Sequence, residues 1–130
     1  MSFLDIDLKD VRKPEAVPAN EEYQIRLLGI TSGEDKNGYP YILPRFDIPN
    51  QPTSKDFTKF LYLPREDASE KELNNIKWNL KMFFDAFAID YTQQINFDTV
   101  GGKTAWAILG LSNDEQYGEQ NYIKKFVTAK

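Results

Sequence analysis

The side chains best equipped for chemistry in this sequence are aromatic and cationic. Nine Phe, seven Tyr and two Trp make up 14% of its 130 residues, whereas His and Cys are absent altogether. Those absences exclude an imidazole base, a thiolate nucleophile, a disulfide scaffold and Cys-ligated zinc or iron–sulfur centres. Binding is therefore the default over catalysis. Tyr39, Tyr41 and Arg45 fall at odd-numbered positions of one short segment. Planar rings beside cations are the combination that stacks on unpaired bases while following a phosphate backbone. Tyrosine suits an exposed platform, because its hydroxyl tolerates water while the ring stacks. Most of the phenylalanines are expected in the core instead.

Two other patterns invite chemistry and fail on spacing. Gly101-Gly102-Lys103-Thr104 resembles the end of a phosphate loop, but the position five before Gly102 is Phe97 rather than Gly. The residues that follow alternate like a strand, where that motif requires a helix. A tight turn explains both glycines. Asp5, Asp7 and Asp10 lack the glycine and distal glutamate of a calcium loop, so they are read as a solvated acidic arm. No metal and no cofactor are expected. Glu66-Asp67 and Asp114-Glu115 lie in loop sequence without partners for acid–base work.

The elements that must position these residues follow from period and punctuation. Residues 1–20 form an N-terminal arm with Pro14 and Pro18 and no sustained period, and residues 21–130 form the domain. Residues 22–31 alternate as a strand, and the turn formers of 32–38 end on Asn37-Gly38, a strong hairpin signal. Residues 39–48 make a second strand whose Pro40 and Pro44 imply a bulge or an unpaired side. Residues 57–63 make a third, stopped by Pro64. From 68 to 87 the period changes. Leu73, Ile76, Leu80, Phe83, Phe84 and Phe87 share one helical face, and Ser69 with Glu72 forms a capping box. Strands at 104–111 and 120–128 complete the chain, separated by a turn cluster at 112–118.

The order β-β-β-α-β-β predicts an all-β fold with one helix: the OB-fold, a five-stranded Greek-key barrel in which the helix sits between strands three and four. An α+β sheet with one helix across it shares that order. In an OB-fold, ligands lie on strands two and three, rimmed by the loops joining strands one–two and four–five. Facing Ile42, Phe46 and Ile48 inward turns Tyr39, Tyr41, Leu43 and Arg45 outward. Keeping the charge of Lys59 out of the barrel turns Phe57 and Lys59 outward too, and with them Leu61 and Leu63. Lys36 at the first hairpin tip, Lys55 in the second loop and Tyr117 in the last loop complete the expected contact set. Of the adjacent Lys124 and Lys125, one must face away from the barrel.

The formal net charge is −4, whereas a basic domain is the usual footprint of a nucleic-acid binder. The charge is uneven, however. Residues 1–22 carry three cations against six acids, and residues 23–130 carry thirteen against fourteen. The nearly neutral body leaves room for a local basic face, and the acidic arm could shield it as a mimic of DNA. Deleting residues 1–18 is expected to leave the fold intact, because every predicted element lies beyond them. No apolar stretch approaches the ~18 residues of a membrane span, and residues 1–10, with Asp5, Asp7 and Asp10 and no basic region before an apolar block, are not expected to act as a secretory signal.

Several segments carry a resemblance. They are the Met1-Ser2-Phe3 opening, Pro18-Ala19-Asn20-Glu21-Glu22-Tyr23-Gln24-Ile25, Lys36-Asn37-Gly38-Tyr39-Pro40 and Arg45-Phe46-Asp47-Ile48. Phe83-Phe84-Asp85-Ala86-Phe87-Ala88-Ile89, Val100-Gly101-Gly102-Lys103 and the run from Tyr117 to Phe126 belong with them. Together they resemble a family of bacteriophage OB-fold single-stranded-DNA-binding proteins over roughly residues 3–127. The resemblance implies coating of single-stranded DNA in phage replication or recombination, in the cytoplasm of the infected bacterium, without catalysis. It also implies replication or recombination proteins as partners. Many such proteins recruit them through an acidic C-terminal tail, where this sequence has Lys124-Lys125-Phe126-Val127-Thr128-Ala129-Lys130. The alternative from another class is a protein–protein interaction module, an adaptor or virion-assembly component whose aromatics bury against a partner.

Overall fold

The structure, a computed structural model, describes residues 3–127. The Met1-Ser2 opening and the Thr128-Ala129-Lys130 end lie outside them. Six strands and one helix follow in the order β1 (Glu22–Glu34), β2 (Pro40–Asp47), β3 (Phe57–Thr58), β4 (Leu61–Tyr62), α1 (Glu70–Ala86), β5 (Thr104–Asp114) and β6 (Gly118–Val127). The strands form one antiparallel sheet in the order β3-β2-β1-β5-β6, with β4 also pairing β2. The protein is thus mostly β-sheet with one helix, and its curled open sheet is compatible with a small barrel. A strand, not a helix, follows Gly101-Gly102.

The hairpin starts later than its turn formers suggest. β1 runs on through Ser32 and Gly33 to Glu34, because each residue there finds a partner on β2. The reversal is left to residues 35–38. Asp35 makes it, accepting the N–H of Asn37 and of Tyr39 on its carboxylate, while its carbonyl takes the Gly38 N–H. Gly38 supplies the positive φ of 79° that this turn requires.

The second strand has the expected register. Ile42, Pro44, Phe46 and Ile48 are buried, and Tyr41, Leu43 and Arg45 alternate with them. Its two prolines explain the third strand. Pro44 and Pro40 accept the N–H of Lys59 and Leu63 through their carbonyls. A proline cannot return the bond, so the ladder breaks and residues 57–63 pair as two short pieces, β3 and β4. Across the break the inward residues are Phe57 and Leu61, 4% and 3% exposed, and the outward ones are Thr58, Phe60 and Tyr62. The expected outward register of Phe57 and Lys59 is therefore wrong by one residue. Two apolar side chains on the inner face outweigh one lysine whose stem can run along apolar surface to water.

α1 closes one side of the core. Ser69 caps it by accepting the Glu72 N–H, as the capping box predicts. Leu80, Phe83 and Phe84 are buried, and the Phe87 ring stacks on Phe46 at 5.5 Å. Phe57 packs against the other side of Phe46 at 5.4 Å.

The arm divides in two. Phe3, Leu4, Ile6, Leu8 and Val11 are each more than half exposed. Val17, by contrast, is buried in the core, and its N–H and carbonyl are both held by the side chain of the buried Asn121. Glu15 bridges to Ser54, and its carbonyl accepts the Lys55 N–H. Residues 15–17 thus form a strap between the start of β3 and β6, the two ends of the sheet order. Deleting residues 1–18 would remove it together with the core residue Val17, so the structure predicts that such a deletion destabilises the fold rather than sparing it. A bulge after Ile108 also resolves the two lysines: Lys125 pairs with Ile108, Lys124 is the extra residue, and both are exposed. Among the described residues no helix is long and apolar enough to cross a membrane.

Candidate nucleic-acid interface

The outward residues of β2 and β4 gather four rings. Tyr41 lies against Phe60 with centroids 4.5 Å apart, Phe60 meets Tyr62 edge-on at 4.9 Å, and Tyr62 meets Tyr39 at 6.4 Å. Phe60 and Tyr62 are among the exposed large hydrophobic residues. The Tyr41 ring lies across β1 at Gly33, where a Cβ would come 2.9 Å from its hydroxyl. Any larger residue at 33 would displace this ring. Beyond Tyr41 the same face continues as a shallow groove of about 660 Å³, lined by Leu43, Arg45, Thr58, Thr31, Phe97 and Gly101 among others. From Tyr39 to Arg45 the strand spans ~20 Å.

The arginines of this face are paired, and Asp98, which has no ion pair among the described residues, lines its groove. The Arg65 guanidinium sits 3.8 Å above the Tyr39 ring and is itself held by Asp67 and Glu72. Arg45 pairs with Asp56 at 3.1 Å, and Arg26 pairs with Asp47. Tyr62 donates its hydroxyl to Asp35. The Tyr39 N–H, then the Tyr62 hydroxyl and the Asn37 N–H, hold the Asp35 carboxyl below its ordinary value. The same bond, with some burial, raises the Tyr62 phenol. A carboxylate thus locks the turn, Tyr39 and Tyr62 into one unit.

The expected contact residues divide three ways. Tyr39, Tyr41 and Arg45 lie on this face, and Lys36 is exposed in the adjoining turn. Phe57 is core, as corrected above. Lys59 points the other way, into a separate cleft with Ile123, Lys124 and Lys125, where burial lowers its pKa. Lys55 is a strut: its ammonium donates to the carbonyls of Tyr117 and Glu119 and ties β3 to the last turn. Tyr117, 61% exposed, shares a cleft with Lys55 and residues 13–16 rather than with the aromatic cluster.

Phe60, Tyr62, Arg65 and Gly33 were not expected at the site. The signal for the first two was present, since an inward Leu61 forces both outward. Arg65 and Gly33 act through tertiary contacts, for which the sequence holds no local pattern. Among the described residues no three His, Cys, Asp or Glu side chains converge as metal ligands. Compared with models of known families and with curated proteins, the chain matches none.

Proposed function

We propose that this protein is an OB-fold single-stranded-DNA-binding protein, non-catalytic, that coats DNA during bacteriophage replication or recombination in the cytoplasm of the infected host. The observation that carries this reading is the ring cluster of Tyr39, Tyr41, Phe60 and Tyr62 on the outer face of the second and third strand segments. Two exposed rings, Phe60 and Tyr62, flanked by the half-buried Tyr39 and Tyr41 and beside guanidinium groups, suit sequence-tolerant stacking of bases. The topology supports the same reading: counting β3 and β4 as one strand gives the order 3-2-1-4-5, with the helix between the third and fourth. An OB barrel is a partly open five-stranded sheet that binds its ligands on this face. The resemblance in sequence supplies the phage setting.

Because Arg26, Arg45 and Arg65 are ion-paired, stacking supplies most of the affinity and phosphate contacts a smaller share. Titration of labelled oligo-dT and of duplex of equal length, at low and high salt, tests this. The single strand should bind more tightly, with a shallow salt dependence. Equal affinity for the two would overturn the reading. Those same ion pairs favour the second reading, an aromatic interface for a protein partner, and absence of single-strand binding at every salt concentration would select it.

A further inference from the structure

The outer half of the arm and the lysine cleft have complementary character. Leu4, Ile6 and Leu8 alternate with Asp5 and Asp7, the pattern of a strand with one apolar and one acidic face. All three apolar side chains are more than half exposed, so the described structure leaves that face uncovered. The cleft between α1 and β6 has the matching character. Met82, Ile123 and Phe126 form its apolar part, Lys59, Lys124 and Lys125 its charged part, and among the described residues no carboxylate lines it. Its volume of about 220 Å³ falls below the ~300–1,000 Å³ of small-molecule sites and suits the side chains of a peptide. Among the described residues Lys124 is partnered by the neutral Asn20 amide alone, and Lys59 is partly desolvated there. β6 is also the last strand of the sheet order, and an edge strand is a natural template for an added segment.

The same chain's arm does not fill the cleft: its Leu4, Ile6 and Leu8 are exposed, and no described arm residue is among the cleft's lining. The arm leaves the body at the turn before β6, where residues 13–16 share a cleft with residues 116–119, and from there it is free to reach a neighbouring molecule. We propose that residues 4–8 of one copy dock in the Lys59–Lys124–Lys125 cleft of a second copy, with Leu4, Ile6 and Leu8 on its apolar part and Asp5 and Asp7 against its lysines. The contact joins two different surfaces, so it is heterologous and builds an open chain of molecules unless the rotation closes a ring. It does not depend on the reading as a DNA-binding protein.

Sedimentation velocity in the absence of DNA tests it with two full-length variants. One breaks the arm (Leu4→Ser with Ile6→Ser), the other the cleft (Lys124→Glu with Lys125→Glu). All four positions are exposed, so both variants should melt at the wild-type temperature, and a melting curve verifies this. Wild type should associate as its concentration rises. Each variant alone should associate on the order of tenfold more weakly or less. An equimolar mixture should recover a one-to-one complex and nothing longer, because one intact arm then meets one intact cleft. If folded wild type stays monomeric, if the cleft variant associates like wild type, or if the mixture stays monomeric, the proposal is overturned. Should the cleft variant melt early, Asp5→Lys with Asp7→Lys serves as a third protein. Its failure to associate supports the contact, and undiminished association overturns it.

Discussion

The outer face around Tyr41 and the cleft around Lys59 lie on opposite sides of residues 57–63, and they divide between them what a nucleic-acid site ordinarily combines. The outer face has four clustered rings, but its arginines are matched by Asp47, Asp56, Asp67 and Glu72. Among the described residues the cleft has three lysines, no lining carboxylate and a single aromatic residue, Phe126. Stacking strength depends on ring faces, whereas salt dependence depends on free cations. On the proposed reading, the density of lysine is therefore a poor guide to the binding face. The division also separates two physical terms that mutation can address one at a time.

The comparison is most exposed at its dividing line, Phe57 against Phe60. Phe57→Ala opens the core beside Phe46 and should cost ~3–5 kcal/mol of stability. Phe60→Ala loses two surface ring contacts and should cost about 1 kcal/mol or less. Denaturant melts of the two variants decide it. Equal losses would mean that the rings of the outer face are part of the core and that the two sides are not distinct.

Next in size is the strap that holds the lysine side of the sheet. Removing residues 1–12 should leave the melting temperature unchanged, since the apolar residues lost are exposed. Removing residues 1–18 exposes the space filled by Val17 and leaves the buried Asn121 amide short of two partners. That should cost on the order of 3 kcal/mol or more. If both truncations melt alike, the strap is dispensable and the sheet ends hold each other unaided.

These two contrasts also mark where the sequence was legible. The cap at Ser69, the helix period and the inward set Ile42, Phe46 and Ile48 are local patterns, and each is found as expected. The Asn37-Gly38 hairpin is found as well, with its turn shortened because β1 continues to Glu34. The third strand differs from its expected register because Phe57 and Leu61, not the charge of Lys59, decide which side faces the core. A seam in the sheet gives a lysine stem an apolar path to solvent, and nothing local announces a seam. Val17 stood between two prolines with no period around it, so only its long-range bonds to Asn121, 104 residues away, reveal it as core. The outer face was half legible: the register of β2 gave Tyr39, Tyr41 and Arg45, and the error in the third strand hid Phe60 and Tyr62.

On the outer face itself the two terms should separate. Tyr41→Ala should weaken single-strand binding by ~1–3 kcal/mol and leave the log–log salt slope nearly unchanged. Arg45→Ala should reduce that slope by less than the ~0.7 of one fully engaged phosphate, because Asp56 competes for the guanidinium in the free protein. Asp56→Asn should then steepen the slope, since it frees Arg45. Anisotropy titrations at three or four salt concentrations give both quantities. A large slope change in Tyr41→Ala would show that the ring acts by positioning a cation rather than by stacking.

The smallest effect is expected at Lys59, and it bears on both regions at once. If the cleft takes no part in DNA binding, Lys59→Met should leave affinity and salt slope as they are in wild type. Stability should respond instead. Burial lowers the Lys59 pKa from its ordinary value of 10.5, so the folded state disfavours the ammonium. The unfolded chain binds the proton more tightly, and stability contributed by this group rises with pH between the lowered folded value and 10.5, the cost being fully present below that window. Lys59→Met should remove that rise and raise the melting temperature slightly at neutral pH, where the wild-type ammonium is still charged. Melting curves at neutral pH and near pH 10, with a salt titration of oligo-dT on the same variant, measure both. A fall in the salt slope of ~0.7 would instead route a phosphate past Lys59, and the separation of rings from free cations would fail at the residue that defines it.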